Sequence, residues 1–173
     1  KYMDKEEKFD FGRMFGFAYG EKENGAVFSH MAVMYANALY KRGFIKEGYK
    51  VLKNLLDSAM DFENSIMYPG IPEYFDNDGR GLYAYLTGAA SWYMLTMITE
   101  VFGVRGELGN LVIKPALLPE QFDKDGKAAI KLNFSGRTLK ITIHADIDNI
   151  QDNNGVYNKI IRVECDGNEL ESA

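Results

Sequence analysis

Leu86-Thr87-Gly88-Ala89-Ala90-Ser91-Trp92 opens the most apolar helix of the chain, and the reading of the fold turns on it. Thr87 is an N-cap residue whose hydroxyl can accept a hydrogen bond from a backbone N–H one turn in. Gly88 begins the first turn with no side chain to block approach. The free N–H groups and the positive end of the helix dipole make such a terminus a seat for an anion. Most Thr-Gly pairs at helix starts are caps and nothing more, so both readings stand at this point. Beyond Gly88, Trp92, Met94, Leu95, Ile98 and Val101 ring the helix, and Glu100 is its one charge. A helix over 88–102 without a polar face is expected to be buried on all sides, inside a larger helical assembly.

Upstream, the spacing of Val27, Met31, Met34, Tyr35, Ala38 and Leu39 predicts a helix. Asn24 or Gly25 is its expected cap, and Gly43 stops it after Lys41 and Arg42. A second helix is expected over 46–62, with Tyr49, Leu52, Leu55, Leu56 and Met60 as its apolar stripe. The short connection makes the two a helical hairpin. The preceding 11–25 segment carries Gly12, Gly16, Gly20 and Gly25 and reads as an irregular, aromatic-rich loop. Residues 64–85 form a long connection, and loops of that length in a compact domain are usually functional.

After Gly103 the period changes. Leu111-Val112-Ile113 is a short apolar run. Ile130, Leu132 and Phe134 alternate, as do Leu139, Ile141 and Ile143, which predicts strands with one buried face. Ser135-Gly136 marks a hairpin turn, and a last strand is expected over 156–165 before Asp166-Gly167. The boundary between a helical part, 1–105, and a C-terminal β part, 106–173, falls in the 103–110 region.

Composition narrows the function. With 46% hydrophobic and 26% charged residues the chain is globular. A net charge of −5 without a basic cluster argues against nucleic acid. No apolar run reaches the length of a membrane span, and there is no secretion signal. The single Cys165 excludes an internal disulfide and fits a reducing, cytoplasmic setting. The chain opens at Lys1 without an initiator Met and breaks off after Glu171-Ser172-Ala173, and is expected to be a piece of a larger protein.

Few residues offer chemistry. His144 ends an alternating strand and reads as a surface residue. His30 lies in the first turns of a helix, among small and apolar neighbours; it is either a satisfied structural residue or a ligand. With no other histidine or cysteine near it in sequence, no metal site is expected. There is no nucleophile elbow, P-loop or dinucleotide fingerprint. Glu23 and Glu73 sit in loops among glycines and aromatics, where each either caps a backbone N–H or meets a ligand. Arg80 stands between two glycines, where a guanidinium can reach an anion or a sugar hydroxyl.

Taken in order, four stretches carry a resemblance: Glu-Asn-Gly-Ala-Val-Phe-Ser-His (23–30), Gly-Ile-Pro-Glu-Tyr (70–74), Tyr-Leu-Thr-Gly-Ala-Ala-Ser-Trp (85–92) and Val-Phe-Gly-Val-Arg-Gly-Glu-Leu-Gly-Asn-Leu-Val-Ile-Lys-Pro (101–115). Together they resemble the C-terminal part of the family 94 glycoside phosphorylases, which include the cellobiose, cellodextrin, chitobiose, laminaribiose and oligoglucan enzymes. The resemblance implies the last hairpins of an (α/α)6 barrel followed by a small antiparallel, β-sandwich-like domain. It implies reversible phosphorolysis with inversion, in which inorganic phosphate replaces the activated water of an inverting hydrolase and no cofactor is needed. His30, Thr87 and Gly88 match the family's phosphate ligands. Lys22, Glu23, Glu73 and Arg80 are the expected sugar contacts.

The order Pro72-Glu73-Tyr74, where the cellobiose enzymes have Glu-Pro-Tyr, and a short loop lacking their phosphate-contacting glutamine point away from cellobiose. They tilt the expectation toward the oligoglucan, laminaribiose or aldonic-acid-accepting branches. The family's general acid is an aspartate upstream of these motifs, so no catalytic residue is expected in this chain, which alone should be inactive. Its partners are a β-glucan disaccharide or oligosaccharide, phosphate and the rest of the barrel, with a homodimer possible for the full-length, bacterial enzyme. The competing readings are a fragment of an inverting hydrolase on the same barrel and a non-catalytic glucan-binding module.

Overall fold

The computed structural model describes residues 9–68, 70–84, 88–145, 157 and 162–170. The chain divides into two compact units, Lys1–Glu100 and Val101–Ala173.

In the first unit, 3-10 turns over Phe9–Gly16 lead to a short strand β1, Val27–Phe28, and then to helix α1, Ser29–Lys41. Helix α2 spans Ile45–Met60 and is followed by the single turn α3, Phe62–Ser65. Strands β2, Tyr74–Phe75, and β3, Gly81–Leu82, form a hairpin. Strand β1 pairs antiparallel with β2, so the three make one small sheet. Helix α4, Gly88–Thr96, widens at its end into a π turn over Met97–Val101.

The start of α1 corrects the expectation. Val27 lies in a strand, not on a helix, and the residue before α1 is Phe28, which makes no side-chain cap. Asn24 is not at the cap position of α1: it is 1% exposed, and its Nδ2 donates to the Phe17 carbonyl at 2.8 Å. The buried face also differs. Val33, Ala36, Asn37 and Tyr40 point inward, whereas Met31, Met34 and Tyr35 are exposed. Both stripes have helical spacing, and small residues won because they let helices approach closely. A Cβ added to Gly48 of α2 would lie 2.6 Å from the Tyr40 ring and 3.2 Å from the Ala36 carbonyl.

Helix α2 buries Ile45, Leu52, Leu55 and Ala59, and leaves Leu56 and Met60 exposed. Leu52 is 1% exposed, and truncating such a leucine to alanine costs about 2–5 kcal/mol. Helix α4 packs on α1, and its Tyr93 hydroxyl donates to the Leu52 carbonyl of α2 at 3.4 Å. Inside the interface Asn37 Nδ2 donates to Thr96 Oγ1 at 3.1 Å. Ala89 and Thr96 are fully buried, but Met94 and Leu95 are exposed. Burial of this helix on every side is therefore not what the chain itself provides.

The second unit is built from hairpins: β4 (Val104–Glu107) with β5 (Asn110–Ile113), β6 (Lys127–Phe134) with β7 (Arg137–His144), and β8 (Val163–Cys165) with β9 (Asn168–Leu170). Their two-residue loops, Leu108-Gly109, Ser135-Gly136 and Asp166-Gly167, all have positive φ at both positions. That is the geometry a type I′ turn requires, and it matches the natural strand twist. Ile130 faces Ile141 and Leu132 faces Leu139 on the more buried side of β6 and β7, the alternation the sequence predicts. Val101, Val104, Leu117, Leu118 and Ala128 form the buried core of this unit. His144, the last residue of β7, is exposed.

Candidate functional site

His30 is the second residue of α1 and Gly88 the first of α4. A Cβ placed on Gly88 would fall 2.5 Å from His30 Cε1 and 2.8 Å from each ring nitrogen. The imidazole therefore lies directly against the glycine, and any side chain there would force the ring to move. His30 also meets Trp92, one turn further along α4, with ring centroids 6.0 Å apart. His30 Nε2 is buried and has no hydrogen-bond partner among the described residues, and the same holds for the hydroxyl of the wholly buried Ser29. A buried polar atom left unpaired costs about 1–3 kcal/mol, so His30 Nε2, beside the first residue of α4, is a candidate contact for a polar ligand. Thr87 lies outside the described residues.

The segment from Ala18 to Ala26 explains how the sugar-side candidates are placed. Gly20 N donates to the Asn24 carbonyl at 2.8 Å, and Asn24 N to the Glu21 carbonyl at 2.9 Å, which folds residues 20–24 into a tight turn. Lys22 takes a left-handed conformation in it, with φ +41°. Its Nζ stands 4.5 Å from the Tyr83 ring centroid and 5.9 Å from that of Phe17. A groove of about 310 Å³ opens there, lined by Phe17, Glu21, Lys22, Tyr74, Leu82 and Tyr83. Aromatic walls, a cation and a carboxylate are groups on which a sugar can stack and hydrogen-bond. Burial raises the Tyr74 phenol above its ordinary range, with Tyr83, Glu21 and Glu73 adding to it, so it stays a proton donor.

The other candidates fall elsewhere. Glu23 is not in the groove; its carboxylate pairs with Arg13 Nη2 at 3.0 Å. Glu21, two residues earlier, lines the groove instead, and sequence reasoning missed it. It also missed Tyr83, whose φ of +64° no motif announces. Glu73 links the two halves of the site through its backbone. Its carbonyl accepts from Ser29 N at 2.9 Å, and its N–H donates to the Tyr83 carbonyl at 3.2 Å. Arg80 is exposed at the β2–β3 turn, where its N–H donates to Asp76 Oδ1 at 2.9 Å, and it does not line the groove. So His30 and Gly88 are in contact, Lys22 stands in a groove, and Glu23 and Arg80 stand apart from both.

Among the described residues no helix is long and apolar enough to cross a membrane. No family model matches the chain. Over 147 residues it is 26% identical to a cellobionic acid phosphorylase of Neurospora crassa, a match that covers 78% of this chain and 18% of that protein. The chain thus spans less than a fifth of its relative's length. That relative is fungal, which gives no support to a bacterial origin. The chain carries a distant, phosphorylase-like relationship along most of its length.

Proposed function

We propose that this chain is part of an inverting glycoside phosphorylase of the family 94 type, and that the His30–Gly88 corner holds its inorganic phosphate. The contact between the imidazole and the first residue of α4 carries this reading. An imidazole N–H and a helix N-terminus are both ligands that favour an anion, and a phosphate oxygen would satisfy the buried Nε2. Thr87 would add its hydroxyl. In the reaction a phosphate oxygen attacks the anomeric carbon as the glycosidic bond breaks. The leaving oxygen takes a proton from a carboxylic acid, an aspartate outside this chain, and the products are α-glucose 1-phosphate and a shortened acceptor. The helices α1, α2 and α4 would then be the closing elements of an (α/α)6 barrel, with phosphate the only co-substrate.

The relative is a cellobionic acid phosphorylase, and Lys22 in the groove is the group that supports an acidic acceptor here. The carboxylate would meet Lys22 Nζ while sugar faces lie on Tyr83 and Phe17.

The test is phosphate binding by calorimetry to the full-length protein and to its His30→Ala variant. Saturable binding that weakens at least tenfold in the variant is the expected result. Binding unchanged by the substitution would remove the phosphate from this corner.

A further inference from the structure

Between α1 and α4 the Asn37 side chain donates to Thr96, a buried polar contact whose placement is informative. On α1, Asn37 stands seven residues, close to two helical turns, after His30. On α4, Thr96 stands eight residues after Gly88. The two contacts, His30 with Gly88 and Asn37 with Thr96, therefore recur after similar distances along both axes, about 11 and 12 Å. The helices run in the same direction, and their N-termini lie side by side at the imidazole.

On these two helices the residues buried between or beside the contacts include Val33 and Ala36 of α1 and Ala89 of α4, each 0% exposed. Such surfaces slide or rotate past one another with little to select one register. A buried polar pair does select, because a shift leaves donor and acceptor unpaired. Asn37 is 4% exposed and Thr96 0%. Thr96 is also the last residue of regular α-helix before the π turn at Met97–Val101. The span from Gly88 to Thr96 thus acts as one rigid segment, and distortion of the π turn lies beyond the pair.

The geometry points to the Asn37–Thr96 hydrogen bond as the pin that holds the Gly88 end of α4 beneath His30, making Asn37 and Thr96 positioning residues for the ligand of that corner. The identity of the ligand rests on the phosphate reading above; the pin itself does not. Because oriented contacts lose their effect over about 1 Å, a loosened register acts on phosphate and leaves the sugar groove alone.

The test uses the full-length protein and three forms: Thr96→Val, which removes the acceptor at nearly constant volume; Thr96→Ser, which keeps it; and the double change Asn37→Leu with Thr96→Val, which leaves no unpaired group and keeps a folded variant in hand. Two readouts are taken beside the melting temperature: KM for phosphate against KM for the disaccharide, and the rate at which diethyl pyrocarbonate acylates His30, with exposed His144 as the internal standard. Thr96→Val and the double variant should raise KM for phosphate at least fivefold with KM for sugar within twofold, and should speed His30 acylation severalfold; Thr96→Ser should match the parent. A lower melting temperature with both His30 acylation and KM for phosphate unchanged would reduce the pair to an ordinary core contact and overturn the inference. If the parent protein proves not to use phosphate, the functional reading fails, and the acylation rates still decide for or against the pin.

Discussion

The imidazole of His30 lies so close to Gly88 that a methyl group on the glycine would stand 2.5 Å from its Cε1. Gly88→Ala must therefore displace the ring, which also borders Trp92 one turn along α4. The helix itself should gain slightly from alanine, by up to about 1 kcal/mol. The expected signature is a protein no less helical, with KM for phosphate raised about tenfold or more, a loss of about 1.4 kcal/mol. Steady-state kinetics with circular dichroism on the same samples checks it.

Lys22 supplies the positive charge of the groove beside Tyr83. Charge-assisted hydrogen bonds contribute about 1.5–3 kcal/mol, so Lys22→Met should weaken an aldonic-acid acceptor by about ten- to a hundredfold. A neutral disaccharide should change little. The groove is open, so the parent's preference for the charged acceptor should shrink as salt is added. Comparing kcat/KM for cellobionic acid and cellobiose at two ionic strengths measures both effects.

Asn24 holds the turn that carries Lys22 by donating to the Phe17 carbonyl. Asn24→Ala leaves that carbonyl without this donor and opens a small hole, at a cost of about 1–3 kcal/mol. The loss should be local. Proteolytic nicking between Phe17 and Ala26 should rise several-fold while α1 and α2 stay protected from hydrogen exchange.

Burial raises the Tyr93 phenol above its ordinary pKa of about 10, with Tyr49 and Asp57 contributing less. The folded state thus holds this proton more tightly than the unfolded state does. The associated stability is fully present below pH 10 and is lost as pH climbs through and beyond that value. Denaturant unfolding should show a weakening from about pH 10 upward that is blunted in Tyr93→Phe. At neutral pH the same substitution should cost only about 0.5–1.5 kcal/mol for the bond to the Leu52 carbonyl.

What could be read in the sequence follows the strength of each local signal. The β6–β7 hairpin is legible because alternation and Ser135-Gly136 agree at every position. Helices α1 and α2 are legible as helices, but the buried face of α1 is not. Met31 and Tyr35 offer more apolar surface than Ala36 and Asn37, and pattern alone cannot foresee that close approach to Gly48 and a hydrogen bond to Thr96 decide which side turns inward. The β1–β2–β3 sheet is hidden because two-residue strands carry no period. In the site, His30 and Gly88 emerge from motif order, and the structure brings them into contact. Glu21 and Tyr83 stay hidden, because the turn at Lys22 and the positive φ of Tyr83, not their neighbours in sequence, aim them at the groove.

The phosphate assignment at His30 and Gly88 is tested most directly by following cleavage of cellobionic acid by the full-length protein as phosphate is varied from none to saturation. The expected result is no turnover without phosphate, a hyperbolic rise with it, and α-glucose 1-phosphate formed in step with the released acid. Cleavage to free glucose at an undiminished rate in phosphate-free buffer would contradict the assignment and make the protein a hydrolase.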